Sequence, residues 1–125
     1  MRRVVLLAFL GMTACVPGSP GAIATDSPQA LQSETDGALC NAFGMNHQAK
    51  VRAELERRGT IPAAEWPDVI SRQVRVGMSA CAALAALGPP EAINRTASIG
   101  SFSEQWVYEG LYVYTNGKVV TSWQN

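Results

Sequence analysis

From residue 79 onward the hydrophobic pattern divides into one helix and a series of strands. Ser79 to Gly88 is rich in alanine, the best helix former, with Ser79 as a good N-cap and Gly88 as the residue that ends the helix. After Pro90 the apolar period drops to two, which is typical of β-strands. The predicted strands are Ile93 to Ile99, Glu104 to Glu109, Leu111 to Thr115 and Lys118 to Trp123.

Asn116-Gly117 is the strongest hairpin signal in the chain and predicts a two-residue type I′ turn. Such a turn pairs Thr115 with Lys118, and this register decides which side chains share a face of the sheet. One face is predicted to carry Tyr112, Tyr114, Val119, Thr121 and Trp123, and the other Leu111, Val113 and Val120.

Before this region, residues 40–73 have a helical pattern. A helix is predicted from Asn46, a candidate cap, to Gly59, which suits the C-terminal end. Between Ile61 and Ile70 we expect two short helical turns, with Pro67 opening the second because proline breaks a continuous helix but suits a helix start.

The N-terminal residues have the order of a bacterial lipoprotein signal. A basic start is followed by an apolar run that is too short to span a bilayer, and Met12-Thr13-Ala14-Cys15 resembles a lipobox. We predict a signal peptide over residues 1–14 and lipidation of Cys15, whose acyl chains supply the membrane anchor. The alternatives are a secretory signal cleaved after Ala22 and a cytosolic protein with an apolar start.

Residues 15–39 begin with the lipidated cysteine, are rich in Pro, Ser, Thr and Gly, and are predicted to be a flexible tether. Val16 occupies the position after the cysteine in place of Asp, which favours the outer membrane over the inner membrane. We therefore expect a lipid-anchored outer-membrane protein whose body faces the periplasm.

Composition excludes some partners. The 125 residues carry ten Lys+Arg and ten Asp+Glu. This balance lacks the basic excess of a nucleic-acid binder, so we expect no nucleic-acid partner. With 47% hydrophobic residues, the chain has enough apolar surface to build a core.

The C-terminal half resembles the BamE/SmpA/OmlA lipoprotein domain over about residues 74 to 123. The motifs that carry the resemblance are Val74-Arg75-Val76-Gly77-Met78-Ser79, Leu87-Gly88-Pro89-Pro90, Gln105-Trp106-Val107-Tyr108 and Tyr112-Val113-Tyr114 with Asn116-Gly117-Lys118-Val119. The chain departs from the family pattern in the intervening segment Cys40 to Ser71 and in having Cys40 and Cys81.

This resemblance implies an α+β fold, with short helices packed on one face of a three-stranded antiparallel sheet over residues 74–125. It also implies a non-catalytic scaffold or accessory role in outer-membrane protein assembly, with an envelope protein as partner and the β-barrel assembly machinery as one candidate. The alternatives are a small ligand- or peptidoglycan-binding module and an inhibitor of an envelope enzyme.

Five aromatic residues at strand spacing form a candidate binding face, although aromatic side chains in strands are more often part of a core. They are Trp106, Tyr108, Tyr112, Tyr114 and Trp123. The rest of the sequence favours no enzyme, cofactor or metal site. His47 is the single histidine, and the serines include no Gly-x-Ser-x-Gly motif.

The three cysteines reduce to one pair if Cys15 is lipidated. Cys40 and Cys81 are then the only thiols in an oxidising compartment, and we predict a disulfide between them. The alternative is a small buried Cys81 and a free Cys40.

Overall fold

The structure, a computed structural model, describes residues 27–125. Helical elements precede a four-stranded antiparallel sheet, so the α+β class is confirmed. The predicted signal peptide, Cys15 and the tether as far as residue 26 lie outside the described residues. The elements are α1 (Pro28–Leu31), α2 (Asp36–Met45), α3 (Ala49–Arg58), a 3-10 turn (Ala63–Glu65), α4 (Trp66–Ile70), α5 (Ala80–Leu87), β1 (Ala92–Ser98), β2 (Ser101–Tyr108), β3 (Leu111–Thr115) and β4 (Val120–Gln124).

The end of α3 and both ends of α5 lie where local chemistry predicts, but the predicted cap of α3 is wrong. Helix α3 begins at Ala49 after Gln48, whose side chain makes no capping bond, because Asn46 ends α2 instead. The Ser79 side chain accepts a hydrogen bond from the Ala82 amide at the start of α5. Gly59 ends α3 with a φ of 66°, a conformation that glycine adopts without steric cost. Pro67 lies in the first turn of α4, where its missing amide hydrogen would have no helical partner.

Residues 27–39 differ from the predicted tether. They form α1, the turn after it and the start of α2, whose N-cap Thr35 accepts from the Ala38 amide. Leu31 and Leu39 are both 0% exposed. Burial of these two leucines orders the segment. The tether was predicted from the many polar and small residues, and that composition does not indicate which few apolar residues become buried.

Helices α2 and α5 are joined at both ends of their contact. The Cys40–Cys81 disulfide links them, with the two Cα atoms 5.5 Å apart. Near the C-terminal end of α2, Gly44 lies against Leu84 and Gly88 so closely that a Cβ would overlap their backbone atoms. The two helices therefore pack with almost no side-chain layer at this point.

The sheet has four strands in the order β1-β2-β3-β4, so the expectation of three strands is wrong. Strand β1 adds seven residue pairs to β2, from Ala92 opposite Val107 to Ser98 opposite Ser101. All seven β1 residues are exposed, because this hairpin extends beyond the part of the sheet that the helices cover.

The expected type I′ turn and its register are also wrong. Thr115 pairs with Val120, and an irregularity lies next to this pair, so that Tyr114 pairs with Ser122. Gly117 has a φ of 89°, but Asn116 has no positive φ, whereas a type I′ turn needs one at both positions. Instead the Asn116 side chain accepts hydrogen bonds from the Lys118 and Val119 amides, at 2.9 and 3.0 Å.

The core lies between the helices and one face of the sheet. Trp106, Val113 and Val120 from the sheet are at most 3% exposed and belong to the same cluster as Phe43 and Leu55 from the helices. No helix within residues 27–125 is both long and apolar enough to cross a membrane.

Candidate functional site

The strand register gives the sheet two chemically different faces. Trp106 lies opposite Val113, and Val113 lies opposite Trp123, so these three side chains share the face that the helices cover. We call the opposite side the outer face. It consists of the alternate strand residues, in particular Asn94, Thr96, Ser103, Gln105, Val107, Tyr112, Tyr114, Ser122 and Gln124.

The five aromatic residues of the predicted binding face do not share a face. Tyr112 and Tyr114 lie on the outer face, whereas Trp106, Tyr108 and Trp123 lie on the helix-covered face. The difference arises from the register, because the irregularity near Thr115 moves Trp123 to the other side of the sheet.

Tyr108 and Trp106 have structural positions. Trp106 is 3% exposed, and its indole Nε1 is buried without a hydrogen-bond partner among the described residues. The Tyr108 hydroxyl donates to the Gly88 carbonyl at 2.8 Å, where α5 ends. Burial raises the pKa of Tyr108 well above its usual range, so this hydroxyl stays protonated and keeps donating.

A row of linked polar side chains crosses three strands of the outer face. The Asn94 amide donates to the Gln105 side-chain oxygen at 3.0 Å, and the Gln105 amide donates to the Tyr114 hydroxyl at 3.1 Å. These bonds hold the three side chains in fixed orientations on the outer face. Asn94 and Gln105 were not among the predicted binding residues, because those were chosen for their aromatic rings.

The outer face carries no charged side chain. Arg95 and Glu104 are the only charged residues within the four strands. They pair with each other at 2.9 Å on the helix-covered side, since Glu104 is two residues from Trp106. The outer face can therefore offer neutral hydrogen bonds and two tyrosine rings, and it lacks the groups that would hold an ionic ligand.

The residues weighed for catalysis have structural contacts. Ser79 caps α5 and donates to the Glu65 carboxylate at 2.8 Å. His47 stacks on Phe43 with the ring centroids 4.3 Å apart. Burial, and then the charge of Arg72, lower the pKa of His47, while a backbone hydrogen bond to Ala85 raises it.

The described residues contain no group of three or more His, Cys, Asp or Glu side chains that could hold a metal ion. Comparisons with protein-family models, with curated proteins and with solved structures find no match to this chain.

Proposed function

We propose that this protein is an outer-membrane-anchored lipoprotein that serves as a non-catalytic accessory in envelope or outer-membrane protein assembly and docks a protein partner on its outer face. The anchor and the periplasmic location rest on the basic, apolar and lipobox order that ends at Cys15. The docking role rests on one observation: a sheet face of neutral polar and tyrosine side chains that no described element covers. Tyrosine is enriched at protein–protein interfaces, and charged residues are depleted at their centres.

The BamE-like assignment is part of this proposal. It is supported by the start and end of α5, where Ser79 is the N-cap and Gly88 comes directly after the last helical residue, as in the motifs that carry the resemblance. The fourth strand, β1, distinguishes this chain from the three-stranded pattern. A partner that binds the outer face would therefore meet a wider surface than three strands provide.

Site-specific photocrosslinking in intact cells tests the docking role. A photoreactive phenylalanine analogue placed at Tyr112, which is 39% exposed on the outer face, should crosslink to a distinct envelope protein. The matched control is Val76, which is 64% exposed and lies outside the sheet. Equal crosslinking from both positions, or none from Tyr112, would contradict docking on the outer face.

A second candidate is a peptidoglycan-binding module, and the neutrality of the outer face favours it. Glycan chains are recognised through hydroxyl groups and sugar faces, which match amide, hydroxyl and tyrosine side chains. Co-sedimentation with isolated sacculi tests this candidate. Binding that is lost in a Tyr112→Ser/Tyr114→Ser double variant would favour the glycan and count against the protein partner.

A further inference from the structure

A cavity of about 310 Å³ opens on the side of the sheet away from the outer face. Its walls come from the segment after α4, from α5 and from strands β3 and β4. They are formed by Arg72, Gln73, Val74, Leu87, Leu111 and Trp123. Four of the six are apolar, and Trp123 is 45% exposed, which is unusual for the largest apolar side chain. The cavity is separate from the surface of the proposed function.

Arg72 is the one charged residue in the cavity wall, and its backbone is unusual. Its φ of 57° makes it the only non-glycine residue with a positive φ in the described part of the chain. It lies just after α4, where the Arg72 amide donates to Val69 and the Gln73 amide to Asp68. Glycine is the usual residue at such a helix end. An arginine in this strained conformation points to a use for its side chain.

Two backbone carbonyls hold the guanidinium in place. Nη1 of Arg72 donates to the Gly44 carbonyl at 3.1 Å and, more weakly, to the Ala86 carbonyl at 3.4 Å. These carbonyls lie in the last turns of α2 and α5. No acceptor among the described residues engages Nε or Nη2. This remaining edge of the guanidinium is the one that binds a carboxylate through two parallel hydrogen bonds.

We propose that this cavity binds a small amphiphile with one apolar chain and a carboxylate head, with Arg72 holding the carboxylate and Leu111 and Trp123 contacting the chain. The volume has room for roughly ten non-hydrogen atoms at the ~30 Å³ that a water molecule occupies. A peptide would need partners for its amide groups, and Gln73 is the only uncharged polar side chain in the wall. A single-chain carboxylate needs only the apolar walls and one cation.

Octanoate and octan-1-ol are a matched pair of probes, because they share the chain and differ in the charged head. Binding to the purified protein is measured by titration calorimetry and by tryptophan fluorescence, since Trp123 is in the wall. We expect saturable binding of octanoate at one site. The affinity for octan-1-ol should be at least about tenfold lower. A charge-assisted hydrogen-bonded pair supports a difference of this size.

Three variants separate the role of the guanidinium from that of the apolar wall. Arg72→Gln should weaken octanoate binding about tenfold or more and leave octan-1-ol binding unchanged. Arg75→Gln is the matched control, because Arg75 lies on the same segment but pairs with Asp68 and is outside the cavity wall. It should leave the binding of both probes unchanged. Trp123→Ser should weaken the binding of both probes.

Three results would overturn the proposal: equal affinity of the unaltered protein for the two probes, no saturable octanoate binding up to about 10 mM, or the same loss in Arg72→Gln and Arg75→Gln. The first two need no variant. These two measurements on the unaltered protein test the proposal even if Arg72→Gln fails to fold because its bonds to Gly44 and Ala86 are lost.

Discussion

Gly44 lies where α2 meets the C-terminal end of α5. An added Cβ would overlap the Leu84 carbonyl oxygen and the Gly88 backbone, and neither can move without displacing α5. Gly88 faces it with little more room, since its own Cβ would be 3.2 Å from the Gly44 carbonyl oxygen. The close contact between the backbones at Gly44 and Gly88 therefore limits which residues these two positions accept.

We expect Gly44→Ala to lower the free energy of unfolding by about 1–3 kcal/mol or more, because it overpacks the contact between two helices. Gly37→Ala is the matched control in the same helix. It has no atom within 4 Å of an added Cβ, and alanine favours helices, so it should be neutral or stabilising by up to about 1 kcal/mol. Urea denaturation measures both. Equal effects of the two substitutions would show that α2 and α5 are not in close contact.

Glu54 is the centre of a network of ion pairs on α3. Its side chain is 7% exposed and accepts two hydrogen bonds from Arg57 and one from Arg58. Arg58 also donates to the Leu31 and Glu34 carbonyls and to Asp36. The network thus fastens α3 to the turn between α1 and α2.

These bonds make stability depend on pH at the acid end. Hydrogen bonds from Arg57, and then from Arg58, lower the pKa of Glu54 from 4.5 to about 2. Because the folded-state pKa is the lower one, the contribution is complete above about pH 4.5 and is lost as the pH falls towards 2. We expect Glu54→Gln to have a smaller loss of thermal stability between pH 5 and pH 2 than the unaltered protein. Glu56→Gln, an exposed position on the same helix, should retain the full loss.

At the scale of elements, the helices whose ends carry clear signals were predictable. A serine N-cap and a terminal glycine bound α5, and a left-handed glycine ends α3. Helix α2 has a capping threonine, Thr35, but its two glycines disfavour a helix and its hydrophobic periodicity is weak. It is stabilised by packing against α5, which the local sequence does not show, and by the disulfide, which the cysteine count predicts.

The β3–β4 connection shows how a one-residue shift of register changes the composition of a whole face. Asn116 supplies its side-chain oxygen to two later amides, which lengthens the connection beyond a two-residue turn. Pairing between β3 and β4 then begins with Thr115 opposite Val120. The change of partner for Thr115 from Lys118 to Val120 is a shift of two residues, which keeps each side chain on its predicted face. The irregularity between Tyr114 and Thr115 shifts the register by one more residue, and this moves Trp123 to the helix-covered face and leaves Tyr112 and Tyr114 alone on the outer face. The aromatic residues were predictable as a set, but their division between faces was not.

We expect Asn116→Ala to destabilise the fold by about 1–2 kcal/mol, because the amides of Lys118 and Val119 lose their acceptor. Asn116→Asp keeps an oxygen at this position and should cost less. Thermal unfolding of the two variants gives the comparison. Indistinguishable melting temperatures for Asn116→Ala and the unaltered protein would mean that the side chain does not hold the turn.

At the scale of the whole molecule, the Cys40–Cys81 disulfide joins the region that begins at α1 to the unit formed by α5 and the sheet. The bond closes a loop across a sequence separation of 41 residues. Constraining the unfolded chain over this length stabilises the fold by about 4 kcal/mol in the chain-entropy account. That is a large share of the total for a domain of this size.

Reduction should therefore lower the melting temperature of the unaltered protein markedly. A Cys40→Ala/Cys81→Ala double variant should already melt at the lower temperature and should not respond to reductant. Thiol titration of the unfolded, non-reduced protein gives an independent measurement. Two reactive thiols from Cys40 and Cys81 would contradict the pairing.

The proposed placement of the molecule in the envelope depends on Cys15, which precedes the first described residue, Ser27, by a short stretch of chain. If signal peptidase II cleaves before Cys15, the acyl chains on this residue supply the membrane anchor. Cys15→Ala should then abolish palmitate labelling and leave the signal peptide uncleaved. The variant should still form the Cys40–Cys81 bond if it is exported, which separates loss of lipidation from loss of folding. Palmitate incorporation by Cys15→Ala equal to that of the unaltered protein would exclude the proposed anchor, and with it the outer-membrane location.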